Sequence, residues 1–160
     1  MIDILETPRG KLLLSDLEFL ERQLSSELPE VYRKFLLETN GGDCYKSFVL
    51  EEENEVFIAD FFGLIDSDTQ DYNLVDIRGV YETYRKSKWI PKNAIFIADD
   101  GGSSKVLMSL EKETYGQIFY WDKLKLSTNF VGVSISDFPN ISWLSSCFQS
   151  LVGNPSLEEN

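Results

Sequence analysis

The apolar residues of this chain change period several times, and each change marks an element. Leu17, Leu20 and Leu24 recur at helical spacing. They follow Ser15-Asp16-Leu17-Glu18, a capping-box pattern in which the Ser15 hydroxyl accepts from the Glu18 amide and the Glu18 carboxylate reaches back. A second helix is expected after Leu28, with Pro29 in its first turn, where a missing N–H costs nothing. Val31, Tyr32, Phe35 and Leu36 form its stripe, and Thr39-Asn40-Gly41-Gly42 ends it, with glycine taking the left-handed closing position. The pattern then turns to strands. Cys44 to Leu50 and Glu55 to Ile65 are rich in β-branched and aromatic residues, parted by the acidic turn Glu51-Glu52-Glu53-Asn54. A third helix is expected across Leu74, Ile77, Tyr81 and Tyr84, ending at Trp89-Ile90-Pro91.

Three short strands follow: Ala94 to Ala98, Lys105 to Leu110, and Gln117 to Trp121. The links between them, Asp99-Asp100-Gly101-Gly102-Ser103 and Glu111 to Gly116, are tight enough to make an antiparallel meander. A closing helix from about Ser136 would place Phe138, Ile141, Leu144, Phe148 and Leu151 on one side. The expected fold is α+β: a central, mainly antiparallel sheet of about five to six strands, with helices at the N-terminus, in the middle and at the C-terminus. The 160 residues read as one domain over 1–153, with 154–160 as a frayed tail.

Composition narrows the function. With 42% hydrophobic residues the chain can build a core without disulfide or metal. Cys44 and Cys147 read as two buried thiols in a reducing cytoplasm, with a disulfide between them left open. No apolar run is long enough for a membrane span, and the first residues do not read as a signal peptide, so a cytoplasmic location is expected. The net charge of −12 is uneven: residues 1–80 carry 18 acids against 7 bases, and residues 81–160 carry 9 against 8. Asp43 to Asp76 alone holds ten acids (Asp60 and Asp76 among them) and one base, Lys46. Such a surface repels nucleic acid and anionic lipid and attracts a basic protein, although acidity also serves plain solubility. The partner-binding candidates are therefore Asp43, Glu51, Glu52, Glu53, Glu55, Asp66, Asp68, Asp71, Asp99 and Asp100.

Catalytic chemistry has little to stand on. The chain has no histidine, which removes histidine triads, histidine bases and histidine metal ligands. No C-x-x-C pair and no glycine-rich phosphate loop occurs, so no cofactor is expected. Asp99 and Asp100 could serve a metal-dependent hydrolase, but adjacent strand residues face opposite ways, and a turn role with Gly101 or Gly102 at positive φ is the simpler reading. Asp66-Ser67-Asp68-Thr69-Gln70-Asp71 fails the calcium-loop pattern, with Asp71 where glycine is required and Ile77 where glutamate is required. Among the aromatics, Phe61-Phe62, Tyr115 and Tyr120-Trp121 are candidates for a recognition patch, with one of each adjacent pair expected to be partly exposed.

Several segments together resemble the SUKH superfamily (Smi/Knr type). They are Leu28-Pro29-Glu30-Val31-Tyr32-Arg33-Lys34-Phe35-Leu36 with Asn40-Gly41-Gly42, then Phe62-Gly63-Leu64, then Ile95 to Gly102 with the Leu107 to Leu110 strand, then Ile118-Phe119-Tyr120-Trp121-Asp122, and Ser136-Asp137-Phe138 through Leu151. The resemblance runs from about Ser15 to Leu151, with Ser103 and Ser104 standing where many members carry an acid. It implies an α+β domain without general catalytic residues. For bacterial members it implies immunity-protein-like neutralisation of a toxin, frequently a basic nuclease; fungal members look like regulatory scaffolds. The expected function is thus a non-catalytic protein-binding domain occluding a basic toxin, with a regulatory or scaffolding module as the alternative. A free sheet edge leaves monomer and homodimer both open.

Overall fold

The computed structural model describes residues 4–64, 77, 84–127, 130 and 132–156. Its centre is a seven-stranded sheet: β1 (Thr7–Pro8), β2 (Gly42–Val49), β3 (Glu55–Phe61), β4 (Ala94–Asp99), β5 (Lys105–Ser109), β6 (Ile118–Trp121) and β7 (Ile141–Ser145). The strands lie side by side in chain order, every neighbouring pair antiparallel. The expected α+β meander is present. Its sheet is larger than expected because two elements escaped the pattern: β1, only two residues long, and β7.

β7 replaces much of the expected closing helix. Phe138, Ile141, Leu144, Phe148 and Leu151 suit a helical period, yet Pro139 and Asn140 interrupt it, since proline cannot continue a helix whose earlier carbonyls need N–H donors. Residues Ile135–Asp137 form a single 3₁₀ turn instead, held by Asp137 Oδ2 accepting from the amides of Val133 and Ser134. Ile141 then pairs with Trp121 and Trp143 with Phe119. Helix returns only at α3 (Phe148–Val152).

Helix α1 spans Leu14–Leu24 and buries Leu17 and Leu20. The expected capping box does not form: Leu13 is the cap residue and makes no side-chain cap bond. The helix starts earlier because the chain entering it is fixed by the Leu12 amide donating to the Leu37 carbonyl at 2.9 Å. Helix α2 spans Glu30–Thr39, with Pro29 just ahead of it as the cap residue. Asn40, not a glycine, takes the left-handed closing conformation, with φ 55°. The expected middle helix lies mostly outside the described residues; Ile77 and residues 84–86 are helical.

Two aromatic clusters fill the core. Tyr32 and Phe35 of α2 meet Phe61 of β3 and Phe148 of α3, with ring centroids 5.0–6.4 Å apart. Tyr84, Trp89, Phe96 and Trp121 form the second, and the Trp121 indole donates to the Trp89 carbonyl at 2.9 Å. Fully burying such a ring contributes roughly 1.5–3 kcal/mol, and Tyr84 and Trp89 are only partly buried. Phe61 and Phe62 are both fully buried, contrary to the expectation that one would show, because β3 ends at Phe61 and strand alternation stops there. Trp121 is buried and Tyr120 partly exposed, as expected of that pair. Cys44 is buried, but Cys147 is exposed ahead of α3, which corrects the reading of two buried thiols.

The far half of β2 is not left as a bare edge. β1 pairs with Gly42 and Asp43, and residues 154–156 lie along Ser47 to Val49. The Val49 amide donates to Asn154 O at 3.0 Å and the Ser156 amide to Ser47 O at 2.7 Å, so this part of the expected tail is pinned.

Candidate functional site

The acidic candidates separate into three places. Asp43 stands opposite Asp60, and Asp60 opposite Asp99, so three aspartates form one row across β2, β3 and β4. Residues paired in this way share a face of the sheet. Arg9 reaches the middle of the row, its Nη2 lying 2.8 and 3.1 Å from the two Asp60 oxygens while Nη1 donates to Phe61 O at 2.6 Å. Burial nonetheless pushes the Asp60 carboxyl up to about 6; Arg9 opposes the rise, and Asp43 and Asp99 add to it.

The second place is the connection between β2 and β3, where Glu51, Glu52 and Glu53 form a 3₁₀ turn. Glu52 and Glu53 are exposed and left-handed, with φ 59° and 63°. Glu51 is tied across the molecule to the end of β7. Its Oε1 accepts from the Ser146 hydroxyl at 2.7 Å, the Ser146 amide at 3.2 Å and the Ser145 hydroxyl at 3.3 Å. The Ser146 bonds hold its carboxyl below the usual range.

That tie joins the β2–β3 connection to the end of β7, the last strand of the sheet, so the sheet curls. β3 pairs with β4 only through Asp60 and Phe61, and its first half splays away. The space between is a groove of about 420 Å³ lined by Glu55, Val56 and Phe57 of β3, Asp100, Tyr120, Ser142 and Leu144. Phe57 is 43% exposed there. Asp100 is fixed on both sides: Oδ1 accepts from the Gly102 amide at 2.9 Å and Oδ2 from the Tyr120 hydroxyl at 2.8 Å. Asp99 Oδ1 accepts from the Gly101 amide at 2.6 Å, and Gly101 has φ 88°. Both aspartates hold their turn, as the sequence suggested.

The structure thus brings Glu55 together with Asp100 at the groove and sets Asp43 and Asp99 on either side of Asp60, but does not merge these groups with Glu51, Glu52 and Glu53 into one cluster. Asp66, Asp68 and Asp71 lie outside the described residues. Among the described residues no group of three acids or cysteines is placed to hold a metal ion. Sequence reading missed Phe57, Ser142 and Leu144. The alternation Glu55-Val56-Phe57-Ile58 carried the signal for Phe57, whereas the β7 residues were hidden by the helical reading. A second acidic surface was also missed: Glu18, Glu21 and Glu27 surround a cleft with Arg22 and Arg33 between α1 and α2. Glu21 is committed there, accepting from Arg33 at 3.0 Å and from the Leu28 amide at 2.8 Å.

The family motifs acquire a physical meaning in the same region. Asn40 Oδ1 accepts from the Leu64 amide at 2.8 Å, and Nδ2 donates to the Leu64 carbonyl at 2.7 Å. A Cβ on Gly63 would sit 2.0 Å from the Asn40 carbonyl oxygen, so the two segments approach as only glycine permits.

A curled antiparallel meander backed by helices, with an acidic groove between β3 and β7, defines a small α+β domain. The sequence matches the SMI1 / KNR4 family (SUKH-1) over residues 11–150, and the chain belongs to that family. It is a family of immunity-protein-like domains that are generally non-catalytic. No curated protein matches the chain. Among the described residues no helix is long and apolar enough to cross a membrane.

Proposed function

We propose that this domain is a non-catalytic, cytoplasmic immunity protein of a bacterium, which neutralises a cognate basic toxin by covering it with an acidic surface. The observation that carries the reading is the concentration of ten acids against one base between Asp43 and Asp76, in a member of an immunity-protein-like family. Opposite charge speeds encounter, and a few desolvated anchors set affinity. Glu52, Glu53 and Glu55 are exposed acids of this surface, and Glu55 and Asp100 line the groove.

The test has two stages. Proteins captured by the tagged domain at low salt are identified by mass, and each is expressed alone in a sensitive host. A captured basic protein that arrests growth, with growth restored by co-expression of this domain, is the expected result. A captured host protein that is harmless when expressed and stays bound at high salt would overturn immunity in favour of scaffolding. With the toxin in hand, Glu52→Lys with Glu53→Lys should slow association without unfolding the domain. Glu51 must be left intact in that variant because of its ties to Ser145 and Ser146.

A further inference from the structure

We propose that the groove between β3 and β7 receives an arginine side chain from an extended, basic segment of the protein partner. The proposal rests on the reading of this chain as a domain that binds a basic protein, and it names the point of attachment.

Three features of the groove specify the occupant. Its charged lining residues are Glu55 and Asp100, both acidic, with no base among the residues that line it. The Asp100 carboxylate is held in place by Gly102 and Tyr120, and each of its oxygens keeps a further lone pair. A fixed carboxylate presented in this way suits the planar, forked donors of a guanidinium better than the point charge of an ammonium. Finally, the exposed Phe57 ring and the partly exposed Tyr120 ring offer faces on which a guanidinium stacks.

The shape of the site favours an extended segment. Residues 55–58 of β3 pair with β2 on one side, and the register of β3 with β4 begins only at Asp60. β7 is the last strand of the sheet and pairs with β6. The groove therefore lies between the splayed half of β3 and the last strand of the sheet, with the Glu51 tie bridging the two sides at one end. At about 420 Å³ it is the size of a small-ligand pocket, enough for one or two side chains and too small for a folded element.

The experiment is an NMR titration of the full chain with an acetylated hexa-arginine peptide at low salt, with hexa-lysine as the comparator. Expected are shifts centred on Phe57, Asp100, Tyr120 and Ser142, and tighter binding of arginine than of lysine. Glu55→Gln with Asp100→Asn should weaken hexa-arginine binding about tenfold. Asparagine keeps the Oδ1 acceptor for Gly102, so the turn is retained, and circular dichroism checks the fold. Phe57→Ala, at an exposed position, should abolish the preference for arginine while leaving the fold intact. Shifts confined to the Glu18, Glu21 and Glu27 cleft, or unchanged affinity in the double variant, would overturn the groove while leaving the acidic-surface reading standing. No binding of hexa-arginine anywhere would overturn both.

Discussion

Asn40 grips Leu64 by both backbone polar groups, its side-chain amide standing in for a neighbouring strand. This pair locks the end of α2 against the segment that follows β3, and Arg9, just after β1, reinforces the junction through Asn40 O and Phe61 O. Because Asn40 is also left-handed, one residue serves the turn and the tie together.

Asn40→Ala loses two hydrogen bonds, leaves the buried Leu64 backbone short of partners, and places alanine at positive φ. The expected cost is about 2–4 kcal/mol, read as a lower urea midpoint with unchanged slope. Asn40→Gly relieves the backbone and should recover part of the loss. Equal stability of wild type and Asn40→Ala would show that the tie is redundant.

Tyr32 offers the opposite case. Its ring is fully buried between Phe35 and Phe148, and its hydroxyl has no hydrogen-bond partner in the described structure. Burial drives its pKa far above the ordinary tyrosine value. Tyr32→Phe removes an unsatisfied polar atom and keeps the packing, so stability should hold or rise by about 1 kcal/mol. A thermal melt should move upward by roughly 2–4 °C. A clear downward shift would mean that the hydroxyl has a partner in solution.

Asp60 gives the pH dependence a sign. Its folded carboxyl titrates at about 6, above the usual carboxylate value, so the folded state holds the proton more tightly than the unfolded chain. Its contribution to stability is full below the unfolded value of roughly 3.9 and is lost as pH rises through about 6. Arg9→Met removes the opposing cation and should raise the Asp60 midpoint, followed through its side-chain carbon by NMR. That variant should also lose more stability at pH 7 than at pH 4. Equal losses at the two pH values would refute the electrostatic account of the pair.

The two thiols should behave differently. Burial pushes the Cys44 thiol up to about 11, and its Sγ sits 3.5 Å from Ile4 O. Around Cys147 partial burial pulls upward, but hydrogen bonding with Ser150 and its neighbours outweighs it and holds the exposed thiol below the ordinary range. A colorimetric thiol reagent should therefore find one fast thiol in the native protein and two after denaturation. Loss of the fast phase in Cys147→Ser would assign it, and two fast thiols in the native protein would contradict the burial of Cys44.

Much of this protein was written in local pattern. Leu17, Leu20, Tyr32 and Phe35 repeat at helical spacing, and Ala94 to Trp121 alternates between strand and tight turn, so α1, α2 and the central meander follow from short-range chemistry. The Asp99 and Asp100 turns were equally plain, because each aspartate accepts from a glycine amide two residues on. What the sequence could not decide depends on contacts made far along the chain. β7 exists because β6 offers Ile141 and Trp143 a ladder, which outweighs a helical spacing already broken by Pro139. Residues 154–156 are held only because β2 leaves part of its edge open. The groove arises from a sheet curled until Glu51 meets Ser146, 95 residues away. The sequence by itself determined the elements and the excess of negative charge. Only the tertiary structure decided which acids became ties, which stayed free, and where a partner can enter, since a carboxylate's role is set by the donors that folding brings to it.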